Sequence, residues 1–162
     1  MPIELYRIDD RLVHGQVVVG WGQPLNLTFV VLVDDAIASS DWEQELYRMG
    51  APPEIEVKFE SVESALANLA SYQARPDRGI LLTGDIETMR QLVDRSGAIR
   101  QVNLGGIHHK SGRTARLRYV FLTPAEETAL RDLAARGVTI TAQDVPATTP
   151  VPLEHVLAGT GE

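Results

Sequence analysis

The chain has 162 residues, 44% of them hydrophobic, with a formal net charge of -7 at pH 7 and no cysteine. That size holds one well-buried core and is short for two, so a single domain over residues 1–162 is expected. The acidic balance offers no attractive field to nucleic acid or anionic lipid, and the lack of thiols excludes disulfide frameworks, thiolate metal sites and cysteine nucleophiles. Charges at Glu4, Arg7, Asp9 and Asp10 interrupt the amino terminus where a secretory peptide needs an apolar stretch, and no run approaches the roughly 20 apolar residues that span a bilayer. A soluble cytoplasmic protein is the expectation.

In chain order, an apolar strand from Ile3 to Ile8 runs into the charged loop Asp9-Asp10-Arg11-Leu12-Val13-His14, after which Val17, Val18 and Trp21 recur at helical spacing. Gly20 and Gly22 flank Trp21 and weaken this helix by roughly 1 kcal/mol each relative to alanine, so it depends on packing. Thr28 to Val33 is apolar at nearly every position, as a central strand covered on both faces of a parallel sheet must be. A Pro-rich connection, Ala51 to Glu54, precedes a strand from Ile55 to Phe59. Ser61 then caps a helix carrying Val62, Ala65, Leu66 and Leu69.

A strand from Gly79 to Thr83 is followed by Asp85, the cap of a helix with Ile86, Met89, Leu92 and Val93 on its apolar face and its end near Gly97. Ile99 to Leu104 and Leu117 to Leu122 read as further strands, the second at an edge. Thr123, Pro124 and Glu126 combine a capping hydroxyl, a proline at the first helical position and a capping-box carboxylate, and Gly137 ends that helix. Val138 to Ala142 is the last strand, Val145 to Pro152 a connection, and a short terminal helix follows Pro152. The alternation is α/β, with one antiparallel edge strand expected.

In open α/β sheets ligands collect beyond the carboxyl ends of strands, which makes the first loop the expected site. His14 sits there next to a helix start, where free N–H groups and the dipole favour an anion by roughly 0.3–1 kcal/mol per charge. A neutral imidazole offers an unprotonated nitrogen at pH 7 and can accept a phosphoryl group without an accessory base. Arg11 supplies a permanently charged donor fork that matches phosphate oxygens. Asp9 and Asp10 either fix the loop or set the imidazole tautomer, and Gly15 and Gln16 complete the loop's contacts at the helix start.

Other residues have a functional and an ordinary explanation. Gly105 and Gly106 end a strand and either admit a ligand closely or make a tight turn. Thr83, Gly84 and Asp85 follow another strand and can line the same crevice, although Asp85 is explained by capping alone. Asp34 and Asp35 either face the crevice or cap the next helix. Lys110 and Arg113 either steer an acidic partner or are solvated surface. His108 and His109 are adjacent and lack same-face metal spacing, and Trp21 is explained by core packing. The residues call for no metal and no cofactor.

RIDDRLVHGQV resembles the active-site signature of the IIB component of the mannose/fructose/sorbose family of bacterial phosphoenolpyruvate-dependent sugar phosphotransferase systems. The likeness extends through Trp21, VLVDDAIA, Ala51-Pro52-Pro53, VNLGGIHHKSGRT and ARGV, nearly the whole chain. Gly20 departs from the basic residue often found there. The resemblance implies an open, mainly parallel sheet with helices on both faces. It implies a protein-Nπ-phosphohistidine–sugar phosphotransferase in which His14, helped by Arg11, takes phosphate on Nδ1 from a IIA phosphocarrier. His14 then passes the phosphate to a hexose entering through membrane IIC and IID subunits, and the protein associates peripherally with the membrane's inner face. Self-association occurs among such proteins. Two other readings keep the same loop: a regulatory phosphoprotein that signals phosphorylation state, and a simple phosphate-binding module.

Overall fold

The computed structural model describes residues 2–13 and 15–161, without the side chains of residues 15–17. Strand β1 (Ile3–Ile8) leads through the charged loop to helix α1 (Gly15–Leu25), β2 (Phe29–Val33), α2 (Asp35–Ala38) and α3 (Asp41–Met49). These are followed by β3 (Glu56–Glu60), α4 (Val62–Gln73), β4 (Gly79–Thr83), α5 (Ile86–Ser96) and β5 (Gln101–Leu104). A hairpin of β6 (Thr114–Leu117) and β7 (Val120–Leu122) precedes α6 (Pro124–Ala135), β8 (Thr139–Ala142), β9 (Val151–Pro152) and α7 (Leu153–Leu157).

Seven strands form one sheet in the order β3-β2-β4-β1-β5-β8-β9, parallel throughout except for β9 on β8. Every residue of β2 is buried, because the strand has neighbours on both sides and helices over both faces. Phe29, Val31 and Val33 pack toward α4, α5 and α6, whereas Val30 and Leu32 pack with Val18 and Trp21 of α1 and Ile37 of α2. The period-2 alternation thus feeds two cores, and a continuous apolar run results.

The helix starts follow local chemistry. The Ser61 hydroxyl accepts from Ser64 N–H at 3.0 Å, and the Thr123–Glu126 capping box closes with Thr123 N–H on Glu126 Oε1 at 2.9 Å and Glu126 N–H on Thr123 Oγ1 at 3.0 Å. Asp85 accepts from Thr88 N–H at 2.7 Å, and the ends of α5 and α6 are followed by Gly97 and Gly137 at φ 63° and 94°.

The expected antiparallel edge strand is present, but Leu117 to Leu122 is not one unbroken strand at the edge of the sheet. Arg118 and Tyr119 turn the chain there, and Val120–Leu122 pairs with Thr114–Leu117 in the β6–β7 hairpin, docked by Ile107 N–H on Tyr119 O and Phe121 N–H on Ile107 O, both 2.8 Å. The edge is instead Val151–Pro152, within the segment read as a connection, where proline's missing N–H costs no ladder bond. Helix α3 was also absent from the sequence reading. It buries none of its residues and leaves Trp42, Leu46 and Met49 exposed, although their i, i+4, i+7 spacing is itself a helical signal in the sequence.

Register fixes what stands beside what at the carboxyl end of the sheet. Ile8 is level with Thr83 of β4 on one side and Leu104 of β5 on the other. The chain leaves β1 toward β2 and leaves β5 toward β8, in opposite directions along the sheet. The loops after β1 and β5 therefore flank a crevice at a topological switch point.

Candidate functional site

Backbone hydrogen bonds bring three loops together at this crevice. Asp9 N–H donates to Thr83 O at 2.9 Å, Gly105 N–H to Ile8 O at 2.7 Å, and Asp10 N–H to Gly106 O at 2.8 Å. The first loop therefore continues the sheet's pairing past the strand ends before it turns toward His14.

Asp9 is the hub. Its Oδ1 accepts from the Arg11 backbone N–H at 3.1 Å and from Arg11 Nε at 2.9 Å, while Oδ2 accepts from a terminal nitrogen of Arg11 at 2.7 Å and of Arg7 at 3.1 Å. Arg7 and Asp9 are both fully buried. Burial works against the Asp9 charge, but the hydrogen bonds and charges of Arg11 and Arg7 outweigh it and hold the carboxyl below its ordinary pKa. The same hydrogen bonds raise Arg11, while burial lowers Arg7 against the pull of Asp9.

Arg7 also donates to Asn103 Oδ1 and to the carbonyls of Gln143 at 2.8 Å and Asp144 at 3.1 Å. Its guanidinium lies 4.7 Å from the centre of the Trp21 ring, which is buried as expected of a core residue. One arginine thus ties together β1, β5, the loop after β8 and α1. Asp144 adds a longer ion pair to Arg11 at 3.6 Å.

Glycines admit this packing. A methyl on Gly105 would overlap the Arg7 guanidinium and the Asp9 carboxylate. At Gly106 a methyl would lie 3.2 Å from Arg11 Nε, 3.3 Å from Asp9 Oδ1 and 3.3 Å from His108 Cε1. Close approach of side chains to backbone, and not a bare turn, is the role of both. Leu12 has φ 55°, a left-handed conformation costing a leucine about 1–3 kcal/mol, and its side chain is buried with Cδ2 3.0 Å from the place of a methyl on Gly84. The loop holds strain two residues before His14.

His14 lies outside the described residues, as does the side chain of Gln16; α1 begins at Gly15, the residue after His14. Asp10 pairs with the β5–β6 loop, accepting from His108 N–H at 2.7 Å on Oδ2, with Oδ1 2.5 Å from His108 Nδ1. The loop around Thr83, Gly84 and Asp85 supports the site from behind. Thr83 is buried and donates to Asp85 O at 3.0 Å, and Asp85 caps α5. Asp35 accepts from Val62 N–H at 2.8 Å and so helps start α4, while Asp34 caps α2. Lys110 is exposed. Arg113 is held by Glu126 at 3.0 and 2.9 Å and by His108 O at 2.7 Å.

The sequence reading omitted Arg7, Asn103, His108 and Asp144 from the site. A signal existed for Arg7, since a guanidinium amid the apolar alternation IELYRI is tolerated inside only with an anionic partner. Among the described residues no group of three or more metal-ligating side chains is placed to hold an ion, and no helix is long and apolar enough to cross a membrane.

Residues 3–161 match the family model described as "PTS system sorbose subfamily IIB component". The chain belongs to this family. It is 34% identical to the N-acetylgalactosamine-specific phosphotransferase enzyme IIB component 1 of Escherichia coli, covering 89% of this chain and 91% of that protein. It is 30% identical to the sorbose-specific EIIB component of Klebsiella pneumoniae, over 85% and 84% of the two chains. The IIB domain of the sorbose permease from K. pneumoniae superposes with a TM-score of 0.87 at 28% identity, over 98% of each chain. A second solved structure, the N-acetylgalactosamine-specific IIB component 1 of E. coli, gives a TM-score of 0.84 at 32% identity over 92% and 97%. The IIB family carries phosphate from a IIA component to sugar.

Proposed function

We propose that residues 1–162 form one IIB domain in which His14 accepts a phosphoryl group from a IIA phosphocarrier, on Nδ1, and transfers it to a hexose-class sugar presented by membrane IIC and IID subunits. The domain works at the cytoplasmic face of the membrane, and its activity is that of a protein-Nπ-phosphohistidine–sugar phosphotransferase. The observation that carries this reading is the Asp9–Arg11 fork. It holds a guanidinium in place at the switch-point crevice, three residues before the histidine that precedes α1.

Arg11 and the amides at the start of α1 neutralise the phosphoryl oxygens, and catalysis is positioning plus charge stabilisation of a group moving in line between two nitrogens. Asp9 orients Arg11, and Asp10 anchors the loop. Relatives' names cover N-acetylgalactosamine, sorbose and mannose, which supports a hexose class and does not choose within it. No finding favours the regulatory reading over transport.

Incubation with phosphoenolpyruvate, the general phosphocarriers and a IIA component, followed by mapping of acid-labile phosphate, tests this. His14→Ala is expected to abolish labelling. An undiminished phosphoprotein signal in that variant refutes the assignment.

A further inference from the structure

We propose that Arg7 is a positioning residue for phosphoryl acceptance, which acts through Asp9 by fixing where the Arg11 guanidinium stands and by taking up part of the carboxylate's charge. This rests on the reading of His14 as acceptor and of Arg11 as the guanidinium that meets the phosphoryl group.

Asp9 N–H continues the pairing of β1 onto Thr83 O, so Arg7 and Asp9 are two residues apart on an extended segment and their side chains leave the same face of the sheet. Both guanidiniums donate to one oxygen, Asp9 Oδ2, Arg7 at 3.1 Å and Arg11 at 2.7 Å. Oδ1 takes Arg11 Nε at 2.9 Å, and a guanidinium bound on both carboxylate oxygens is fixed in plane as well as in place. The Arg7 side chain is wholly buried whereas that of Arg11 is 21% exposed. Arg11 is therefore the cation of the two that an incoming group can reach, and Arg7 acts only from behind.

Arg7 is itself set by the sheet. Its Nη1 donates to Asn103 Oδ1 of β5 and to Gln143 O after β8, its Nη2 to Asp144 O, and the Trp21 ring of α1 lies against the guanidinium. The place of Asp9 thus follows from strands and a helix remote from the loop that carries Arg11. Lysine at position 7 keeps the charge but presents one nitrogen where Arg7 uses two at a fixed separation. Stability alone does not call for this arrangement, since an apolar pair of similar volume is often as stable as a buried ion pair. What the guanidinium adds is direction and charge. With Arg7 in place one carboxylate is divided between two cations, and Arg11 keeps charge for phosphoryl oxygens. Without it the whole Asp9 charge falls on Arg11. Asp144 Oδ1, partly exposed and 3.6 Å from Arg11, is a competing acceptor to which Arg11 turns once Asp9 shifts.

The test is a double-mutant cycle on the full chain, with Arg7→Lys and Asn103→Ala each made alone and together with Arg11→Ala. Initial rates of acid-labile labelling from phosphoenolpyruvate, through the general phosphocarriers and a saturating IIA component, are read on protein shown to be folded by circular dichroism. Arg7→Lys is expected to slow labelling about tenfold and Asn103→Ala about threefold, and neither to slow it further by more than about twofold once Arg11 is alanine. Proton–nitrogen NMR supplies a second readout. The Arg11 Nε–H, assigned by its loss in Arg11→Ala, is expected to exchange with solvent about tenfold faster in Arg7→Lys, while the Arg113 Nε–H on Glu126 keeps its wild-type rate. If Arg7→Lys does not fold, Asn103→Ala decides by the same two readouts. Equal slowing with and without Arg11, or Arg11 Nε–H exchange within about twofold of wild type, overturns the proposal and leaves His14 as acceptor. No label on the wild type, or label that survives His14→Ala, overturns the acceptor reading and the proposal with it.

Discussion

Replacing Asp9 by Asn tests the hub most directly. The carboxylate receives four donors on two oxygens, three from Arg11 and one from Arg7, and neither Asp9 nor Arg7 is exposed at all. An asparagine of the same shape presents an NH2 on one side, so two of the four bonds become donor facing donor, and the buried Arg7 charge loses its counterion. Removing one partner of a buried ion pair costs about 3–5 kcal/mol. In a domain of this size each kcal/mol lowers Tm by about 2–4 °C, for a loss of roughly 6–20 °C at pH 7. The pH dependence follows from the depressed Asp9 pKa: wild type holds this contribution above the unfolded value of about 4 and loses it as pH falls through the lower folded value. The variant has no such group, so the wild-type to variant gap narrows on acidification. Thermal denaturation of both proteins between about pH 7 and pH 3 measures it. A loss below about 1 kcal/mol, or a gap that does not change with pH, refutes the counterion account.

Gly105→Ala forces a methyl into the Arg7 guanidinium and the Asp9 carboxylate, and is expected to cost about 1–3 kcal/mol in urea denaturation and to slow phosphate acceptance through displaced Arg11. Gly79→Ala drives a methyl into the Phe29 ring and is expected to destabilise by a similar 1–3 kcal/mol or so without changing the phosphorylation rate of the folded fraction. Thr123→Ala removes a hydroxyl that caps α6 and is expected to lose about 1 kcal/mol, read as a lower denaturation midpoint at unchanged slope. Arg11→Ala is expected to slow phosphorylation by roughly 10- to 100-fold with phosphate still mapping to His14, since the nucleophile remains; labelling at the wild-type rate would remove Arg11 from the mechanism.

Much of this architecture was legible because its signals are local. Ser61, Asp85 and Thr123 announce helix starts, since capping joins a side chain to a backbone N–H three residues away. The run Phe29–Val33 announces an interior strand because burial on both faces removes every polar position. Helix α3 was legible in the helical spacing of Trp42, Leu46 and Met49, whereas the edge strand escaped because two residues containing a proline carry no periodicity.

The amino-acid sequence by itself determined the α/β class and the strand–loop–helix order around the first loop, both of which reside in short-range pattern. Only the tertiary structure decided what holds Arg11. Asp9 can anchor it because Arg7, Gly105 and Gly106 converge there, and Asp10 reaches His108 across 98 positions of chain. Such contacts follow from which strands become neighbours in the sheet, and strand order is a property of the packed whole that no single segment carries.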